Sequence, residues 1–173
     1  ADEVTGMGVG GLLMEIGVRP QPRENVKPSV KRVSAVVLAA GRSTRMGEAN
    51  KLLARLNGKA VVAHVVEAAR ASGVAETIVV TGHEGERVAE ALAGTSARII
   101  ANPDYASGMS TSLAAGIGAV ADHSDAAIVL LGDMPHITSA MIDRMVAAAS
   151  SAPNDAIVMA SHGGERGNPV LWP

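Results

Sequence analysis

The chain contains no cysteine, no phenylalanine, one tryptophan and one tyrosine among its 173 residues. Without cysteine there is no disulfide, no thiolate nucleophile and no thiolate metal site, so its chemistry must rest on oxygen and nitrogen groups. Without phenylalanine the core has to be filled by Ala, Val, Ile, Leu and Met. The 47% apolar share is enough for one globular domain. Excess charge is also scarce. A net charge of −2 argues against a nucleic-acid partner, because phosphate backbones favour strongly basic faces. No apolar run approaches the roughly 18 residues of a membrane-spanning helix. A charged-then-apolar leader pattern is missing from the N-terminus. These features lead us to expect a cytoplasmic protein with no membrane partner.

Residues 1–30 differ from the rest. "GMGVGGLL" is glycine-rich, and "RPQPRENVKP" has three prolines in ten residues. Proline has no amide donor, so that piece reads as an extended linker rather than a helix interior or central strand. Gly6, Gly8 and Gly11 match Gly-x-Gly-x-x-Gly, but no strand precedes them, so a dinucleotide site is not implied.

From Lys31 onward, strand and helix patterns alternate. Strands are expected at 33–39, 77–81, 97–101, 126–132 and 156–160. "VSAVVLA" is a continuous β-branched run of the kind buried on both faces. Val62, Val65, Val66 and Ala69 form one helical stripe, with Gly73 as its left-handed cap. A helix capped by Ser110 follows the third strand, and Met141, Ile142, Met145 and Val146 mark one face of another helix. This order predicts a three-layer α/β fold, a mostly parallel sheet with helices on both faces.

In such sheets ligands bind beyond the carboxyl ends of the strands. The unusual residues collect there: "GRSTRMG", "TGHEGE", "NPDYASGMSTS", "GDMP" and "SHGGERGNP" each follow a strand, whereas the strands' leading segments are bland. In the first loop, Gly41 and Gly47 allow close backbone approach, and Arg42, Arg45 and Lys51 supply positive charge for an anion. A solvated turn is the alternative. The loop is not a Walker A motif, since no Gly-Lys-Ser/Thr closes it. Asp133 sits just past a buried strand, where one carboxylate beside phosphates suits Mg²⁺; a cap or turn role is the alternative. Ser110, Thr111 and Ser112 offer hydroxyls at a helix start for an anion or a base edge, or simply for capping. Arg166 in "RGNP" is either an anion ligand or part of a polar turn. The five histidines show no metal-ligand spacing. His64 reads as packing, and His83 and His136 as loop residues.

"LAAGRSTRMG", "NKLL", "NPDYASGMSTSL", "LLGDMP" and "GGERGNPVL", in this order over residues 33–173, resemble the MobA-like NTP transferases of the nucleotide-diphospho-sugar transferase, Rossmann-like fold. Within that family the chain looks most like molybdenum cofactor cytidylyltransferases. The resemblance implies CTP and Mg²⁺, a molybdopterin-type acceptor and, as a further partner, a molybdoenzyme that receives the cofactor. It puts Arg45 and Lys51 on the phosphates and Asp133 on the metal. It counts Leu38, Ala39, Ala40, Gly41, Arg42, Ser43, Gly47, Gly82, Gly108, Ser110 and Ser112 among the nucleotide-binding positions, and Arg166 and Asn168 among those for the acceptor. Guanylyl relatives carry glycine where this chain has Ala40, whose methyl would tighten the pocket towards a pyrimidine. The family pattern runs past "NPVL" to a helical segment and a second metal-binding aspartate, so residues 31–173 are expected to be an NTP transferase domain without its C-terminal segment. Residues 1–30 resemble the joint after a molybdopterin-binding domain. Two other activities fit the same motifs: a nucleotide- or pterin-binding accessory module without catalysis, and a cytidylyltransferase acting on a sugar or polyol phosphate.

Overall fold

A computed structural model describes residues 31–42 and 50–173. The expected linker over 1–30, and Ser43, Arg45 and Gly47 of the first loop, lie outside the described residues. The sheet is built from β1 (Val33–Ala39), β4 (Glu76–Thr81), β5 (Arg98–Ala101), β6 (Ala126–Leu131), β7 (Val158–His162) and β8 (Glu165–Trp172). Two short strands, β2 (Arg55–Leu56) and β3 (Lys59–Ala60), make a separate hairpin. The helices are α1 (Val61–Arg70), α2 (Gly85–Ala91), α3 (Met109–Gly118) and α4 (Ser139–Ser151).

The six strands lie in the order β5-β4-β1-β6-β8-β7. β1 pairs in parallel with β4 and β6, and β4 in parallel with β5. β8 runs antiparallel to both β6 and β7. The β-branched run of β1 is buried throughout, apart from a half-buried Leu38, as a central strand requires. Alternate residues feed two cores. Val33, Ala35, Val37 and Ala39 join Val62, Val65, Val66 and Ala69 of α1 and Ile142, Met145 and Ala149 of α4. Val36 meets Val80 and Ala127, with Ala115 of α3 packed against them. Helices therefore cover both faces, as the alternation of patterns predicts.

Four local expectations change. Gly73 is not left-handed; α1 ends at Arg70 with Ala71 as its cap, and the Gly73 amide donates to Asp143 Oδ1 at 2.8 Å. Gly108, not Ser110, caps α3, and its backbone (φ 122°, ψ 173°) breaks the preceding turn. Met141 is 45% exposed, because the buried face of α4 is centred on Ile142, Met145 and Ala149, and Met141 lies at its edge. The segment "SHGGERGNP" is a strand–turn–strand rather than a loop. Gly163 and Gly164, at φ 59° and 88°, make the tight turn between β7 and β8, a backbone twist that suits antiparallel strands.

Candidate functional site

β1, β4, β5 and β6 are parallel, so their carboxyl ends share one edge. β8 turns back from β7, and β7 therefore runs with β6 and ends on that edge too. The loops singled out in the sequence all leave this rim.

Lys51 and Asp133 meet there. After β1 and the first loop, Asn50 starts a short 3₁₀ turn over Lys51–Leu53, its Oδ1 accepting the Leu52 amide at 3.1 Å. Leu52 is buried and lies against the position of Gly132. A Cβ on Gly132 would come within 3.0 Å of the Leu38 carbonyl oxygen and 3.3 Å of Leu52 Cδ2. The bare glycine also donates its amide to that Leu38 oxygen at 2.9 Å. The turn can therefore dock on the end of β6, and the residue beside Leu52 reaches the residue beside Gly132. Lys51 Nζ lies 3.2 Å from Asp133 Oδ2, the two side chains being 45% and 42% exposed. A cation and an acid 82 residues apart are thus neighbours on an open rim.

Next along the rim, Ala40 is buried and its carbonyl accepts the His83 amide at 3.3 Å. A Cβ on Gly82 would fall 2.5 Å from Tyr105 Cβ and 2.9 Å from the Ala40 methyl. The Ala40 methyl is accordingly buried beside Gly82. The Tyr105 ring leans on His83 with centroids 6.1 Å apart.

Asn102, at the end of β5, anchors a hydrogen-bond network on the rim. Its Nδ2 donates to Thr111 Oγ1 at 2.9 Å and Ser112 Oγ at 3.0 Å, and its Oδ1 accepts the Asp104 amide at 3.0 Å. Thr111 Oγ1 in turn lies 3.0 Å from the Asp104 oxygen and 2.9 Å from that of Gly108. Ser112 is buried within this network, while Ser110 is exposed. Gly41 and Arg42 are exposed at the end of β1. Arg166 and Asn168 project from the exposed part of the β7–β8 hairpin, beyond the residues of β8 that pair with β6.

Two residues of this edge escaped the sequence reading, Asn102 and Glu84. The Ser/Thr-rich start of α3, ten residues downstream at most, was the available signal for Asn102. Glu84 had none beyond Arg87 three residues on, a spacing common to any helix start. Its carboxyl is held below the ordinary value of 4.5, chiefly by Arg87, against the opposing effect of burial and with help from Asn50 and His83.

A cleft of about 640 Å³ lies elsewhere, among the β2–β3 hairpin, α1 and α2. It contains none of the expected site residues. Its cations are engaged: Lys59 with Glu67, Arg87 with Glu84, and Arg55 with the Gly58 carbonyl. We place the candidate site on the rim for that reason.

Among the described residues no three His, Asp or Glu side chains cluster to cage a metal. A single carboxylate on an open rim still fits Mg²⁺, an ion that keeps its waters and takes substrate phosphates as ligands. No helix among the described residues is long and apolar enough to cross a membrane.

The family model of the MobA-like NTP transferase domain matches residues 35–173. The chain belongs to this family. The family's members are nucleotidyltransferases, and the shared rim is where that chemistry is to be sought. The chain is 32% identical to a nucleotidyl transferase from Methanothermobacter thermautotroptrophicus, with a TM-score of 0.73 over 81% of this chain and 70% of that one. It is 25% identical to a CMP:2-keto-3-deoxy-manno-octonic acid synthetase complexed with CTP, with a TM-score of 0.63 over 75% of this chain and 52% of that one. It is also 35% identical, over 129 residues and 73% of its length, to the bifunctional protein GlmU of Kineococcus radiotolerans. The chain spans 26% of that relative's length.

Proposed function

We propose that this domain transfers CMP from CTP to the terminal phosphate of a molybdopterin-type acceptor, releasing pyrophosphate. The observation that carries the reading is the Lys51–Asp133 pair at the carboxyl ends of β1 and β6, an ammonium and a carboxylate 3.2 Å apart on an open edge. An acceptor phosphate oxygen attacks the α-phosphorus of CTP in line. The new P–O bond forms as the bond to the β-phosphate oxygen breaks, and the electron pair leaves on pyrophosphate. The nucleophile is already an anion, so the protein needs no strong base; its tasks are orientation and charge neutralisation. Lys51, with Arg45 and the amides of the first loop, would receive the triphosphate. Asp133 would hold Mg²⁺, which supplies charge neutralisation at the phosphate oxygens when bound. Leu38 to Arg42, Gly82, and Gly108 with the start of α3 would bound the nucleoside, and Arg166 and Asn168 the acceptor.

CTP is favoured over GTP by Ala40, whose methyl stands where guanylyl relatives carry glycine and would tighten the pocket towards a pyrimidine. The match to a structure complexed with CTP supports the same base. For the acceptor, the support is the motif pattern and the likeness of residues 1–30 to the joint after a molybdopterin-binding domain. A second reading keeps CTP and changes the acceptor to a sugar-type or polyol phosphate; the similarity to a sugar-acid synthetase favours it.

Calorimetry with CTP, GTP, ATP and UTP plus Mg²⁺, followed by pyrophosphate release with molybdopterin and with sugar and polyol phosphates, tests both. Asp133→Ala is expected to abolish Mg²⁺-dependent pyrophosphate release with the fold retained. Turnover kept by that variant would remove Asp133 from its role, and preference for GTP would overturn the argument from Ala40.

A further inference from the structure

Rings are so scarce in this chain that the place of each is informative: one tyrosine, one tryptophan and no phenylalanine. The tyrosine, Tyr105, stands on the rim. It opens the short 3₁₀ turn Tyr105–Ser107 between β5 and α3, and it is half-buried there. Core packing does not account for it, since both core clusters are aliphatic and contain no ring.

Three neighbours fix this ring. A Cβ at Gly82 would fall 2.5 Å from Tyr105 Cβ and 2.7 Å from its Cγ, so the tyrosine fills the space that any side chain at 82 would need. These are the root atoms of the side chain, and they cannot move aside without moving the ring. The His83 imidazole lies beside it, tilted by 45° with centroids 6.1 Å apart, a distance typical of aromatic pairs. His83 is itself tied down: its amide donates to the Ala40 carbonyl, and its Nε2 lies 3.8 Å from Glu84 Oε2. On the other side Asn102 Oδ1 accepts the Asp104 amide at 3.0 Å, which anchors the residue before the tyrosine. A ring already held in this way loses little freedom when a ligand packs on it.

The sheet register relates the ring to the Lys51–Asp133 pair. Thr81 lies beside Ala39 and Leu131 beside Leu38, so Gly82 and Asp133 leave the sheet level with Ala40. β4 and β6 flank β1 and are two strand spacings apart, about 10 Å. A nucleotide with its phosphates at Lys51 and Asp133, lying across the end of β1, would bring its base to Tyr105. We propose that Tyr105 is the stacking platform for the base of the nucleoside triphosphate, and that Gly82 is a positioning residue whose missing side chain seats the ring. The inference rests on the nucleotidyl-transfer reading above. Every base has a π face, so the ring holds the nucleoside and leaves the choice among bases to other groups.

The test is the affinity of the full chain for Mg²⁺-CTP and Mg²⁺-pyrophosphate, by calorimetry; the two ligands share phosphates and differ in the nucleoside. Tyr105→Leu should raise the Kd for Mg²⁺-CTP about 10-fold, the scale of one base–aromatic stack, and leave that for Mg²⁺-pyrophosphate where it was. Tyr105→Phe restores a ring and should recover most of the loss. Gly82→Ala should weaken Mg²⁺-CTP in the parent and add little in a Tyr105→Leu background, because the ring it seats is gone. A second measurement needs no substitution. With one tyrosine in the chain, ¹³C-labelled tyrosine gives an unambiguous ring signal by NMR. Mg²⁺-CTP should shift that signal through the ring current of the stacked base, and Mg²⁺-pyrophosphate should not. A signal that CTP leaves in place, one that pyrophosphate shifts equally, or a leucine variant that loses both ligands alike overturns the role of Tyr105 and leaves the nucleotidyl-transfer reading standing. A parent that binds neither ligand overturns both.

Discussion

Around Asn102 the rim is closed and bonded; around Lys51 and Asp133 it is open. The Asn102 side chain is 4% exposed and engages three partners that fold the segment from β5 into α3. The Lys51–Asp133 pair is nearly half exposed on both sides. One region is complete in itself, whereas the other presents charges to solvent, and under the proposed function their counterparts would come with the substrates. Stability and activity should therefore reside in different residues of the same edge.

The sharpest way to break this contrast is to exchange the two. Lys51→Met should lower pyrophosphate release on the order of 10²-fold, as removal of other charge donors to a developing anion does, with Tm close to that of the parent. Asn102→Ala should do the reverse, costing about 1–3 kcal/mol of stability by leaving the buried Ser112 hydroxyl and the Asp104 amide unmatched, measurable by urea unfolding. If Asn102→Ala keeps its stability, the closed half is not the anchor we describe. Gly132→Ala lies between the two: its Cβ would press on the Leu38 carbonyl and on Leu52, costing about 1–2 kcal/mol and weakening CTP binding through the displaced turn. The smallest effect is the pair's own stabilisation. A double-mutant cycle on Lys51 and Asp133 should give under about 1 kcal/mol at this exposure. Glu84 sets a further small term. Its folded pKa lies below the ordinary 4.5, so its contribution is present above that value and fades as pH falls through the lower one. Glu84→Gln should flatten that acid limb of the stability profile.

The parallel half of the fold was legible because its signals are local. "VSAVVLA" has no polar face to show, so it had to be central, and the valine stripe of α1 is buried at each predicted position. The rim location of Lys51 and Asp133 followed from alternation alone. Where the reading failed, the cause was distant or overlooked. Gly73 is held by Asp143 on another helix, which no local pattern reveals. The β7–β8 hairpin carried a visible Gly-Gly signal that was read as loop because a fifth parallel strand was expected to end there. The β2–β3 hairpin likewise turns on Asn57 and Gly58, both left-handed, a dipeptide that marks such turns. Asn50 and Asn102 are 52 residues apart in the chain, too far for any local pattern to put both on one rim.

The shallow setting of the Lys51–Asp133 bridge has one more consequence. An unloaded centre that kept a bare ammonium beside a bare acid would attract stray ions from the cell. By neutralising each other, the two groups rest in balance, and under the proposed function a nucleotide arriving with its cation would exchange partners with both at once instead of prying apart a sealed contact.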